Sequence, residues 1–203
     1  MNDGLGGATA GEKRLYKLLH TLNNESGAFI MGQQSRIGEL FRAAQAGDTA
    51  KLEELLKAHQ GLANEANGEG LTPLGYAAHF GNPDAVRVLL DAGAAVNAVS
   101  NSKVSYIPSN TALHAAIAGE RCLETIGLLL ERGADTRLFD SNGHTCLHTA
   151  AFHDDNVQLI AMLLEHGADV NAAAGGGETA LSIAVKRDNG NVGAFLRKRG
   201  AKE

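Results

Sequence analysis

A pattern of apolar positions at helical spacing recurs along the chain, each time in two short segments separated by a few polar or glycine residues. Between Thr72 and Gly93, each segment places three apolar residues on one helix face. Thr72 is a good N-cap, Pro73 suits the first helical position, and Gly93 tolerates the positive φ that ends a helix. The pattern predicts one helix from Thr72 and a second from about Asp84. Their buried faces are Leu74, Ala77 and Ala78, and Val86, Leu89 and Leu90.

The paired segments are copies of one unit. Each ends in a Leu-Leu-x-x-Gly-Ala phrase, which lacks its second leucine in the last copy, and each carries a Thr-x-Leu phrase upstream. The last two intervals between Thr-x-Leu phrases are both 34 residues. A period of this length indicates supersecondary units stacked on their neighbours, without a single globular core. The phrases begin at Leu89, Leu129, Leu163 and Leu196, and at Thr72, Thr111, Thr145 and Thr179.

Three stretches carry the repeated unit nearly in full, at residues 70–98, 111–135 and 140–172. Their phrases "GLTPLGYAAHFGN", "TALHAAIAGE" and "TCLHTAAFHDDN" resemble ankyrin repeats, and the resemblance covers roughly residues 35–203. A degenerate first unit and a divergent last unit are expected, because one face of each terminal unit lacks a neighbour. The resemblance implies an all-α solenoid of five helix-turn-helix repeats. The predicted units are about 35–66, 67–98, 99–139, 140–172 and 173–203.

The stretch ahead of the array, residues 1–34, is a separate piece. Residues 12–24 place four leucines on one helical face and predict an amphipathic helix of about three turns. We expect this helix to cap the first unit, and the alternative is a docking or dimerising helix. Residues 1–11 are expected to be disordered and residues 25–34 to form a linker or extended segment. The four leucines are Leu15, Leu18, Leu19 and Leu22.

Charge and hydropathy restrict the classes of partner. The formal net charge is −5 at pH 7, which argues against nucleic acid as the main partner because binding to its backbone needs clustered Lys and Arg. The one dense basic run, residues 197–199, is expected to complement the end of the last helix. No stretch approaches the length of a membrane span, and residues 1–11 lack an apolar secretory segment. We therefore expect a cytoplasmic monomer that binds neither nucleic acid nor membrane.

The sequence offers no residue-level support for an enzyme. Nucleophile-elbow, Walker-type and dinucleotide-binding glycine motifs are missing, and the glycines at 175–177 fit a turn between units. Cys122 and Cys146 stand in no redox or zinc spacing, so we expect two reduced thiols. We expect no cofactor.

A metal site can be imagined from the histidines and aspartates of "HTAAFHDD", which are His148, His153, Asp154 and Asp155. The resemblance implies instead a structural hydrogen bond from the imidazole of His148, and of its counterpart His114, to neighbouring backbone or threonine. The other three residues fall in a turn between helices, where a solvated arrangement is expected. We therefore expect no metal. Gly75 and Ser182 replace the histidine in the second and fifth units, which puts that hydrogen bond in doubt there.

The resemblance places the contact surface on the first helix of each unit and the turn tips, which line a concave groove. Large rings on a polar groove are typical anchors of a protein interface. The alternative is that Phe80 and Phe152 fill gaps between adjacent units. The positions that project from the groove are Tyr76, His79, Phe80, Ala115, Ala118, Thr149, Phe152, His153, Ile183, Lys186 and Arg187.

The spacing is irregular at one place. Thr72 and Thr111 are 39 residues apart, and the excess lies in residues 99–110. Insertions in solenoids map to loops on one face, often the binding face. With Tyr106 and Ile107 near its tip, the insertion is expected either to form a longer β-hairpin finger beside the groove or to be a neutral loop extension.

These observations favour a protein-binding module, or scaffold, that is not an enzyme. The partner is expected to be another protein held in the concave groove and by the turn tips. Two other hypotheses remain: an accessory or inhibitory subunit of an enzyme, and a secreted effector that acts in a host cell.

Overall fold

A computed structural model describes residues 32–119 and 122–202, apart from the side chain of residue 60. Within these ranges the chain forms ten α-helices in five consecutive pairs, which we number one to five along the chain. The first helix, α1, covers residues 32–46. The others are α2 (Thr49–Ala58), α3 (Pro73–His79), α4 (Pro83–Asp91), α5 (Ala112–Ala118), α6 (Leu123–Glu131), α7 (Cys146–His153), α8 (Val157–Glu165), α9 (Ala180–Lys186) and α10 (Gly190–Lys198), with a 3-10 helix at Gln60–Asn64.

The pairs stack into two rows of helices. The first helices of the pairs form one row, in which α3 packs against α5, α5 against α7, and α7 against α9. The second helices form the other row, with contacts between α2 and α4, α4 and α6, and α8 and α10. This is the all-α solenoid that the repeats predict. None of the described helices combines the length and the apolar character that crossing a bilayer requires.

Threonine caps start the first helix of each later pair. Thr72 Oγ1 accepts a hydrogen bond from the Gly75 N–H at 3.1 Å, and α3 begins at Pro73, in agreement with the sequence. The second helix, α4, begins at Pro83, one residue before the predicted start at Asp84. Proline is tolerated at both starts because its missing N–H would have no intrahelical partner there. The remaining threonine N-caps are Thr111, Thr145 and Thr179.

The Leu-Leu-x-x-Gly-Ala phrase supplies the core and ends each second helix. Its first leucine is fully buried in all four copies. Its glycine has a φ between 87° and 90° in every copy, the left-handed conformation in which glycine carries no steric penalty. Ala77 and Ala78 are buried between α3 and its neighbours, so small side chains fill the thin core. The leucines are Leu89, Leu129, Leu163 and Leu196, and the glycines are Gly93, Gly133, Gly167 and Gly200.

Asparagine side chains bridge neighbouring pairs after the second helix. Asn97 Nδ2 donates to the Gly133 carbonyl at 3.0 Å, and Asn97 Oδ1 accepts from the Asp135 N–H at 2.8 Å. Arg137 occupies the equivalent position after the third pair and bonds instead to the Asp135 carboxylate at 3.0 Å. The bridge is therefore built differently between the third and fourth pairs. Asn64 forms it with Gly93 and Ala95, and Asn171 with Gly200 and Lys202.

The N-terminal boundary differs from the prediction. Residues 32–34, assigned from sequence to a linker or extended segment, already belong to α1. The first pair therefore begins before residue 35. The rest of that linker, the expected disorder of residues 1–11 and the amphipathic helix at residues 12–24 lie outside the described residues, so the capping role stays a prediction.

The insertion at residues 99–110 is a loop of turns with no strand assigned in it, so the expected β-hairpin finger is wrong. The Ser100 N–H donates to the Asn110 carbonyl at 2.9 Å, and the Asn110 N–H donates to Ser100 Oγ at 3.0 Å, which closes the base of the loop. The Asn101 N–H reaches the Gly70 carbonyl at 3.0 Å. Because these bonds satisfy the backbone groups at the base of the loop, the inserted residues need no β-ladder.

Candidate functional site

The first helices of the pairs and the loops between pairs line an open cavity of about 820 Å³, which we call the groove. The structure brings every predicted contact residue to this one surface. Three residues named beside them, Ala115, Ala118 and Ile183, lie on the same wall. Their role in binding stays a prediction. The predicted contact residues are Tyr76, His79, Phe80, Tyr106, Ile107, Thr149, Phe152, His153, Lys186 and Arg187.

One end of the groove carries an aromatic cluster that joins the first two pairs. The Tyr76 ring lies 5.1 Å, centroid to centroid, from Phe41 of α1 and 5.1 Å from Phe80. Phe41 is buried, and Tyr76 and Phe80 are half-buried. Edge-on aromatic contacts of this kind stabilise a fold beyond the area they bury. Tyr76 is therefore half-buried between two rings and not fully exposed, and Phe80 packs on Tyr76 within its own pair. The role of either ring as an anchor for a partner stays a prediction.

Phe152 is more exposed than Tyr76 and Phe80, with 46% of its surface accessible. The guanidinium carbon of Arg187 lies 4.3 Å from the ring centre, and Arg187 Nε donates to the Phe152 carbonyl at 3.3 Å. His153 packs edge-on against the same ring, with the ring centres 5.2 Å apart. A cation over one face leaves a ring that can still bury area against a partner. Phe152 therefore fits the anchor interpretation.

The inserted loop contributes two apolar side chains to the groove. Tyr106 is 84% exposed, and Ile107 is half-buried. The turn that holds them is closed by the Ile107 N–H, which donates to the Val104 carbonyl at 3.0 Å. An exposed aromatic residue on a loop fixed at its base is a low-entropy contact for a partner, because few rotamers are lost on binding.

The buried histidines of the groove floor are structural. His148 Nδ1 lies 2.8 Å from Thr145 Oγ1 and accepts from the Thr145 N–H at 3.2 Å, while His148 Nε2 lies 3.1 Å from the Glu178 carbonyl. His114 makes the corresponding contacts to its own threonine and to the next pair. These bonds are the ones that the resemblance implies. Burial lowers the pKa of both imidazoles, so both favour the neutral form.

The polar residues of the groove wall already have partners within the chain. Thr149 Oγ1 donates to the Thr145 carbonyl at 3.3 Å. Lys186 forms an ion pair with Glu178, which lowers the pKa of that carboxyl group. Arg187 and Lys186 lie at the end of α9, whereas Glu178 precedes that helix. The groove thus combines both signs of charge.

The imagined metal cluster separates into structural parts. His148 is buried in its threonine cap, and Asp155 accepts from the N–H groups of Asn191 and Val192, at 3.2 and 2.7 Å. These bonds lower the Asp155 pKa and fix the start of α10, so this partly exposed carboxylate has a structural role. In the described ranges no three His, Cys, Asp or Glu side chains are grouped to hold a metal ion.

The two cysteines are free thiols. Cys146 is buried, and its burial raises the pKa of the thiol. A buried thiol of raised pKa holds little thiolate and is a poor nucleophile. Cys122 is half-buried at the start of α6.

Sequence reasoning missed the groove residues that lie just before the first helices. Glu69, Asn110, His144 and Glu178 line it from the segments that precede the first helices, and Gly75 lines it from within α3. Only Gly75 could have been noticed from the sequence, because it replaces the histidine of the Thr-x-Leu-His phrase. The loop residues have no common type, so no pattern marked them.

The comparison with known families agrees with this architecture. The family model described as "Ankyrin repeats (3 copies)" matches residues 40–140 and 113–202, which together span most of the chain. The chain belongs to the ankyrin repeat family. Ankyrin repeats are generally protein–protein interaction modules, and proteins built from them are typically non-enzymatic.

The chain is also similar to curated proteins named "Ankyrin repeat, SAM and basic leucine zipper domain-containing protein 1". It is 42% identical to the Equus caballus protein over 95 residues, which are 46% of this ankyrin chain and 19% of that relative. Identity to the Ornithorhynchus anatinus protein is 45% over 96 residues, 47% of this chain and 19% of the relative. Identity to the Homo sapiens protein is 38% over 95 residues, again 46% and 19%. The chain thus spans about a fifth of the length of these relatives.

Proposed function

We propose that the protein is a non-enzymatic binding module that holds a partner protein in the groove. The observation that carries the proposal is the convergence of all ten predicted contact residues on one cavity of about 820 Å³. Two of these residues, Phe152 and Tyr106, expose aromatic rings, and the Arg187 guanidinium lies over the Phe152 ring. Aromatic anchors within a polar rim are the composition of a protein interface.

The arrangement also suits an extended contact with a folded partner or a peptide. The exposed rings come from α7 and from the inserted loop, so one partner contacts two structural elements at once. The histidines of the groove floor are occupied by structural hydrogen bonds and favour the neutral form. These contacts favour recognition over catalysis.

The test compares a groove variant with a matched surface variant. Phe152→Ala removes a 46% exposed ring from the groove, and Val185→Ala trims a 55% exposed residue that does not line it. We expect affinity purification from the native cells to recover a protein with the wild type and with Val185→Ala, and to lose it with Phe152→Ala. Equal recovery with both variants would count against the groove as the binding surface.

A further inference from the structure

The second pair lacks a side chain that the third and fourth pairs carry. Gly75 occupies the position of His114 and His148, inside α3, where glycine is less stable than alanine. Its φ is not positive, so the backbone conformation does not require glycine. The feature that Gly75 contributes is therefore the space that the missing imidazole leaves.

In the next pair the imidazole fills this space and bridges two groups. His114 Nδ1 lies 2.9 Å from Thr111 Oγ1, and His114 Nε2 lies 3.1 Å from the carbonyl of His144. The threonine hydroxyl donates to one ring nitrogen, and the other nitrogen donates to the carbonyl. His148 repeats the arrangement with Thr145 and Glu178.

Both bonding groups are present in the second pair without the ring. Thr72 Oγ1 accepts from the Gly75 N–H at 3.1 Å, which leaves the hydroxyl proton free to donate. The Asn110 carbonyl accepts from the Ser100 N–H at 2.9 Å, as the His144 carbonyl accepts from the Asp140 N–H at 2.8 Å. The His144 carbonyl has a second partner, the His114 imidazole. Among the described residues, no second donor bonds the Asn110 carbonyl.

The space is accessible from the groove. Thr72, Gly75 and Asn110 all line the cavity of about 820 Å³. Thr72 is half-buried, whereas Thr111, which is covered by its histidine, is 2% exposed. We call this space the Gly75 notch, and Ile107 and Pro108 of the inserted loop line the same cavity.

We propose that the Gly75 notch binds the neutral imidazole ring of a histidine that a partner protein inserts from the groove. The ring accepts from the Thr72 hydroxyl and donates to the Asn110 carbonyl, the two bonds that His114 makes one pair further on. An indole offers a donor but no acceptor, so it satisfies only one of the groups. This inference rests on the proposed function of the groove as the partner-binding surface. A free ring of five heavy atoms binds weakly, so a histidine held by further groove contacts is the natural source.

The test uses free imidazole and N-methylimidazole as probes of the whole protein. We expect imidazole to cause saturable shifts of the Thr72, Gly75 and Asn110 amide signals in NMR spectra, with a dissociation constant of about millimolar. N-methylimidazole has no N–H for the Asn110 carbonyl, so it should bind roughly tenfold more weakly. Unsaturable shifts, or equal affinities for the two probes, would overturn the proposal.

The variant Gly75→His fills the notch from within. A Cβ at this position would lie 2.9 Å from Thr72 Oγ1, but the Thr111 hydroxyl lies 3.5 Å from the His114 N–H, so a small movement of the threonine makes room. We expect this variant to melt at a higher temperature and to show no imidazole shifts. Persistent shifts in the folded variant would place the probe elsewhere and refute the notch. If the variant does not fold, the contrast between the two probes in the wild type decides.

A blocked histidine, N-acetyl-histidine amide, tests the source of the ring. It should compete with imidazole for the notch. If free imidazole binds and the blocked histidine does not, a partner histidine is overturned in favour of a small molecule. None of these titrations needs the partner. Failure of the proposed imidazole site can therefore be distinguished from failure of the groove as the partner-binding surface, which the Phe152→Ala purification tests.

Discussion

At the scale of single residues, the structure gives different environments to two aromatic rings, Tyr76 and Phe152, that the sequence analysis treated alike. Tyr76 contacts Phe41 and Phe80, so Tyr76→Ala should lower the free energy of unfolding by about 2 kcal/mol or more through lost packing. Phe152 is 46% exposed, so Phe152→Ala should lower it by less than about 1 kcal/mol. Urea unfolding of both variants measures the difference. A large loss with Phe152→Ala would assign that ring to packing as well.

A second residue-scale prediction concerns two glycines with the same backbone conformation. Gly70 and Gly177 both have a φ of 79°, but a Cβ at Gly70 would lie 1.8 Å from the Asn101 carbonyl oxygen, whereas one at Gly177 meets nothing within 4 Å. Gly177→Ala should therefore lose about 1 kcal/mol from the left-handed conformation alone. Gly70→Ala should lose about 3 kcal/mol or more, because the contact with the base of the inserted loop must break. Equal melting temperatures of the two variants would contradict this close approach.

Residue identity predicted the local bonds better than the long-range ones. The threonine caps, the bonds of His114 and His148 to their own threonines and the glycine helix ends follow from chemistry within a few residues, and these interpretations are confirmed. Asn191, a partner of Asp155, and Gln45, whose side chain the Tyr76 hydroxyl bonds, lie in neighbouring pairs, 36 and 31 residues away. No pattern within one unit specifies such contacts, because they depend on how two units stack.

At the scale of the helix pairs, the buried histidines make stability depend on pH. Burial lowers the pKa of His114 and His148 below the unfolded value of about 6.5, so the unfolded state binds more protons. Their contribution is complete above about pH 6.5 and is lost as the pH falls through the lower folded pKa values. We expect the urea concentration at the midpoint of unfolding to decrease as the pH is lowered from 7.5 to 5.5.

The variant His148→Ser isolates this effect. Ser182 already shows that a serine can cap the threonine of its own pair, with the Thr179 N–H donating to Ser182 Oγ at 3.0 Å. His148→Ser should keep such a cap, lose the bond to Glu178 and become less stable at pH 7.5 by about 1 kcal/mol. Its midpoint should also depend less on pH than that of the wild type. An unchanged pH dependence would exclude His148 as its source.

The bridge between the third and fourth pairs offers a stabilising change. Arg137 stands where Asn97 and Asn171 bridge their neighbours, and its exposed ion pair with Asp135 contributes little to stability. Arg137→Asn should add hydrogen bonds to the next pair and raise the free energy of unfolding by about 1 kcal/mol. Arg137→Ala is the matched control, because it removes the ion pair without adding a bridge. The interpretation is wrong if both variants melt at the same temperature.

At the scale of the whole molecule, the repeat period of the sequence was enough to predict the stacked helix pairs. The conformation of the irregular segments became known only from the structure. The repeated phrases predicted five units because each unit buries its faces against copies of itself. The inserted loop has no counterpart in the other units, and its fixed shape depends on bonds to Gly70 and Ser141 on either side. The same holds for α1, which begins before residue 35 although the periodic pattern starts only near Leu40.

The end of the stack provides the last prediction. If Leu15, Leu18, Leu19 and Leu22 pack on the first pair, deleting residues 1–30 re-exposes apolar surface worth roughly 25 cal/mol per Å². The free energy of unfolding should then fall by on the order of a few kcal/mol, because terminal units of a solenoid depend on a cap over their free face. Deleting residues 1–11 is the control, since it keeps all four leucines and should leave the urea midpoint unchanged. An unchanged midpoint after the longer deletion would instead identify residues 12–24 as a free docking helix, available to a partner and not to the stack.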